Sequence, residues 1–156
     1  MKRFSSRLLV LCLGALLCGS VSGCGSKQSA NFDLESGNTV IVEYDAIDGL
    51  NLFYEESVFY IGNKSEVPKI NGYFAAESTF DYYSVAVEKE ETATLLGYSN
   101  VPNKEFLTYS ISGVGDKLEY VHLYHVEGTD LYVALISFES EDFILKQKDC
   151  LDFVVK

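Results

Sequence analysis

The chain has 156 residues, with 12 basic and 23 acidic groups and a formal net charge of −11. A surface so short of cations does not neutralise phosphates, which argues against nucleic acid as a partner. The length suits one domain with its own core, and two histidines limit metal chemistry, so no cofactor or metal-ligand set is expected.

Lys2, Arg3 and Arg7 form a positive start, and the apolar run at 8–17 follows, then the small residues Gly19, Ser20, Ser22 and Gly23. This order is the layout of a secretory signal. The apolar run is about half of the roughly 20 residues that a membrane-spanning helix needs. The segment closes on Val21-Ser22-Gly23-Cys24, which resembles the lipobox of bacterial lipoproteins: an aliphatic residue, two small residues, then cysteine. The resemblance implies cleavage between Gly23 and Cys24, a diacylglyceryl thioether on Cys24, and attachment to the extracytoplasmic face of a cell membrane. Gly25 after the cysteine leaves inner and outer membrane both open.

Removing 23 signal residues from 156 leaves 133, and loss of three cations leaves nine basic against 23 acidic groups, a charge of −14 with no arginine. The mature chain therefore lacks the bidentate fork that commonly holds phosphates and carboxylates. Only Cys24 and Cys150 survive cleavage, so Cys150 is a single thiol with no intramolecular partner.

Residues 24–38 are small and polar and read as a lipidated tether, with one domain over 39–156. β-Branched and aromatic residues then predict strands at 39–44, 50–54 and 58–61, a loop at 63–72, strands at 73–80 and 82–87, and a helical turn or two within 90–98. The clearest pattern is three strands in series at 106–112, 118–126 and 131–138, joined by links of hairpin length. Residues 141–156 predict a closing helix: Ser140 supplies the cap, Glu141 and Asp142 meet the positive end of the dipole, and Phe143, Ile144, Cys150, Leu151, Val154 and Val155 form an apolar stripe that includes Gln147. The expected fold is α+β, mainly an antiparallel meander sheet with a C-terminal amphipathic helix packed on it. Over residues 104–156 the order of strands, Gly-turn hairpin, SFESEDF and helix resembles the PsbP-like family, which implies the same sheet-and-helix fold and no particular function.

Among candidate chemical groups, His122 and His125 stand three apart on one strand and point to opposite faces, so they do not share a metal. His125 could pair with Glu127, and Glu88, Glu90 and Glu91 form an acidic run without the spacing of a calcium loop. Cys150 is expected on the buried stripe of the helix. Tyr73, Phe74, Phe80, Tyr82 and Tyr83 crowd neighbouring strands, where some must face outward unless a second layer covers them. No catalytic motif is present, and the expected role is a non-enzymatic binding or accessory module of the cell envelope. Its partners would be the membrane, through the lipid on Cys24, and a protein or envelope component. A small solute- or metal-ion-binding lipoprotein and a small envelope hydrolase are the alternatives.

Overall fold

In β2 (Thr39–Asp45) the alternation TVIVEYD buries Val40, Val42 and Tyr44 completely, as a strand with one covered face requires. It is the centre of a three-stranded antiparallel sheet in the order β1-β2-β10, between β1 (Lys27–Asp33) and β10 (Leu151–Val155). The computed structural model describes residues 27–113 and 117–156. Cys24 and Gly23, with the whole signal segment, lie outside the described residues.

The other strands are β3 (Asn51–Glu55), β4 (Val58–Gly62), β5 (Ile70–Ala75), β6 (Ala93–Ser99), β7 (Phe106–Ser112), β8 (Leu118–His125) and β9 (Tyr132–Ser137). They form a seven-stranded sheet in the order β3-β4-β5-β9-β8-β7-β6, antiparallel at every pairing. The three strands predicted in series are β7, β8 and β9. Strand parity divides their side chains. Phe106, Tyr124, Val133 and Leu135 face the small sheet and join its Phe32, Val40, Val42 and Phe153 in the main core. Leu107, Tyr109, Val121 and Leu123 face the other way, onto Phe80 and Val87. The large sheet is thus covered on both faces, in part at least, as its two-sided apolar pattern suggests.

Gly72 on β5 is fixed by this packing. A Cβ there would collide with the ring of Phe59, which is fully buried and packs on Phe32, Phe74 and Phe153.

Four expectations are corrected. Part of the predicted tether, residues 27–33, is strand β1: Ala30 and Phe32 alone carry its buried face, and polar neighbours mask so short an alternation. The strands predicted at 73–80 and 82–87 are the end of β5 followed by helix α1 (Glu77–Ala86) and a 3-10 turn at Val87–Lys89. Aromatic content favours strands, but Phe80 and Val87, two turns apart, are the buried positions, while Tyr82 and Val85 are exposed. The helical turns predicted in 90–98 are instead edge strand β6, which pairs with β7 through an irregularity between Leu95 and Gly97.

The fourth correction concerns the closing helix. Helix α2 covers only Glu141–Lys148, and the chain then turns at Asp149 and Cys150 into β10. The cap is as expected, with the Phe143 amide donating to Ser140 Oγ at 3.1 Å. Ile144 and Gln147 are its buried residues, and the Tyr44 hydroxyl donates to Gln147 Oε1 at 2.6 Å, tying α2 to β2. Beyond residue 148, hydrogen bonding to β2 outweighs continuation of the helix for the Leu-Asp-Phe-Val-Val segment, in which Phe153 and the β-branched Val154 and Val155 favour a strand.

Candidate functional site

Turning inward residues of β7 and β8 toward α2 and β10 creates a cleft of about 690 Å³, a volume typical of ligand sites at about 300–1,000 Å³. The floor follows from register. Phe106 lies opposite Tyr124 and Thr108 opposite His122 on the paired strands, so alternation brings all four side chains to one face. Gly97 leaves room for the Phe106 ring, which a Cβ would crowd at 3.2 Å. The far wall is built from Glu141, Leu145 and Lys148 of α2 and from Leu151, Asp152 and Phe153 of β10. The three α2 residues stand at i, i+4 and i+7, one helical face, while Ile144 and Gln147 face the core.

His122 is 3% exposed, and its Nδ1 lies 2.8 Å from Thr108 Oγ1. Burial, helped by the charge of Lys148, pushes its pKa down to about 4, so the ring is neutral at ordinary pH. It stacks on Tyr124 with ring centroids 5.1 Å apart, and Phe106 and Phe153 flank the pair. Burial likewise pushes the Tyr124 phenol far up. His122 Nε2 and Tyr124 Oη are both buried without a hydrogen-bond partner among the described residues, a condition that costs about 1–3 kcal/mol per group. Lys148 Nζ stands over the Tyr124 ring, 5.3 Å from its centroid.

His125 is on the opposite face, against the Tyr132 ring at 4.8 Å, so the two histidines are separated as their spacing predicts. Its Nε2 lies 2.6 Å from the Thr129 carbonyl. A carbonyl only accepts, so Nε2 carries the proton. Its Nδ1 faces Glu105 Oε2 at 3.5 Å, and Glu105, not Glu127, is its carboxylate neighbour. In the acidic run, Glu90 accepts from the Thr92 hydroxyl and amide, which hold its carboxyl below the usual range. No group of three or more metal-binding side chains occurs among the described residues. Cys150 is half-buried at the turn after α2, its thiol contacting the Lys146 carbonyl at 3.5 Å and pushed up by desolvation.

The sequence reading did not single out Thr108, Tyr124, Lys148 or Phe153. Alternation along the predicted strand already sets Tyr124 on the face of His122, and for Thr108 the signal was available in the pairing of the two predicted hairpin strands. Lys148 and Phe153 required the turn after α2. No family model, curated protein or solved structure matches the chain.

Proposed function

We propose that the protein is a lipid-anchored binding module on the extracytoplasmic face of a bacterial membrane, and that the cleft between β7–β8 and α2–β10 is its ligand site. The anchoring half rests on the positive start, the apolar run and Val21-Ser22-Gly23-Cys24, the pattern on which lipoprotein processing would act. Two or more acyl chains give stable attachment where one does not, so the domain would need no membrane-binding surface of its own.

The observation that carries the binding half is the pair of buried polar atoms without partners, His122 Nε2 and Tyr124 Oη, in two side chains that line the cleft. Polar groups of this kind are ordinarily satisfied, and a few convergent polar groups in an apolar cleft are the usual makings of a recognition site. Their chemistry favours holding over turnover. With His122 lowered to about 4 and Tyr124 raised, neither is poised near neutral pH, where a general acid or base works best. The test is a fragment screen against the full-length protein, read by NMR of isotope-labelled Phe, Tyr and His. Binders should move Phe106, His122 and Tyr124, which line the cleft, and leave the stacked pair Phe53 and Tyr60 unchanged. Hits that cluster away from those three residues would remove the cleft from the account.

A further inference from the structure

We infer that the cleft takes an alkylammonium group, seated on the Tyr124 ring in the place Lys148 now holds. The inference rests on the cleft being the binding site and adds the chemistry of its ligand. Three observations support it independently.

The first is Lys148 itself. Its ammonium is 5.3 Å from the centroid of Tyr124, inside the roughly 6 Å reach of a cation–π contact. The ring is backed by His122 and edged by Phe153, so the seat is aromatic on several sides and already holds a cation of the chain's own. Lys148 belongs to the last turn of α2 and is about one-third exposed, with Asp149 at 3.5 Å as its only ion-pair partner among the described residues.

The second is the hydrogen-bonding character of the floor. An ammonium is donor-only, with up to three N–H groups. Tyr124 Oη offers it an acceptor. His122 Nε2 offers another when the ring proton sits on Nδ1 and is donated to Thr108 Oγ1, 2.8 Å away. Both acceptors lack partners among the described residues even with the Lys148 ammonium over the ring, so a ligand ammonium gains them only by reaching past the position of Lys148 Nζ. Because His122 is neutral, it does not repel the incoming charge.

The third is the balance of charge. Glu105, Glu127, Glu141 and Asp152 line the cleft against Lys104 and Lys148. Glu105 faces His125, whereas Glu127 and Glu141 have no ion pair among the described residues. An anion entering here would meet four carboxylates, and an ammonium is drawn by them.

The experiment is calorimetric titration of the full-length protein in detergent with spermidine, with Nα-acetyl-lysine amide and with hexanoate. Salt of about 0.15 M shortens the reach of general attraction to the acidic surface to about 8 Å. One-site binding of an ammonium probe is expected, and no binding of hexanoate. Lys148→Met removes the internal competitor and should tighten ammonium binding several-fold. Glu141→Gln should weaken it by about threefold, in the range of a single partly exposed charge contact. Tighter binding of spermidine than of the lysine amide would name a free polyamine as the source, and the reverse a lysine side chain of a partner. Hexanoate binding that Lys148→Met abolishes would overturn the ammonium assignment and leave the cleft standing. Failure of all three probes, with no change of shift at His122 or Tyr124, would overturn both.

Discussion

His122 illustrates how one residue's burial becomes a property of the whole chain. Its folded pKa of about 4 lies below the value of about 6.5 expected when unfolded. Between these two values the unfolded chain binds a proton that the folded chain does not. Stability is therefore unaffected by this group above about pH 6.5 and falls as pH drops toward about 4. A difference of two pH units within that window corresponds to about 2–3 kcal/mol. Urea melts at pH 7 and 4.5 should show the native protein losing about that much more stability than His122→Gln. Parallel losses in the two proteins would mean that the ring is not buried neutral. The Tyr44–Gln147 hydrogen bond, buried and 103 residues apart in sequence, makes a second residue-scale prediction. Tyr44→Phe leaves Gln147 Oε1 without its donor and should cost about 1–3 kcal/mol. Adding Gln147→Leu should recover part of that loss, because it removes the stranded amide. A double-mutant cycle with purely additive losses would contradict the pairing.

At the scale of elements, the hairpin strands β7 to β9 and the capped start of α2 were legible because local signals agreed: alternation, short Gly-containing links and a serine cap. The C-terminal half of the expected helix was misread because Cys150, Leu151, Val154 and Val155 fit a helical stripe as well as they fit a strand. The residue that separates the two periods is Phe153, which is off that stripe and yet is the buried residue of β10, with Leu151 and Val155 packed beside it at the core's edge. Phe153→Ala should cost about 3–5 kcal/mol, whereas Val154→Ala, at a position 39% exposed, should cost less than about 1 kcal/mol. Thermal melts of the two variants test the strand directly, since a continuing helix would make Val154 the more costly loss. Strand β1 was illegible for a different reason: two buried side chains among polar neighbours are too few to show a period. Helix α1 was hidden by its aromatics, whose preference for strands competes with the spacing of Phe80 and Val87.

For the molecule as a whole, length and charge indicated a single acidic domain and the strand and helix patterns a mixed α and β structure, and the antiparallel large sheet follows that expectation. What sequence could not supply was the pairing of the first described strand with β2 and of β2 with the last strand, because contacts between chain ends leave no local signature. The cleft depends on that closure. β10 and α2 form one of its walls, and the site becomes visible only when the last strand is placed. The same closure puts Lys27, the first described residue, in a strand, and in sequence only Gly25 and Ser26 stand between it and Cys24. On the proposed anchoring, a lipid on Cys24 would hold the domain close to the bilayer on a short lead. Intact-mass and peptide mass spectrometry of the membrane fraction tests this most directly. The account predicts a mature chain that begins at Cys24 and carries acyl mass on that residue, and a Cys24→Ala chain that stays unprocessed and unlipidated. A chain that begins at Met1 without lipid, or a cut elsewhere that leaves Cys24 a free thiol, would contradict it.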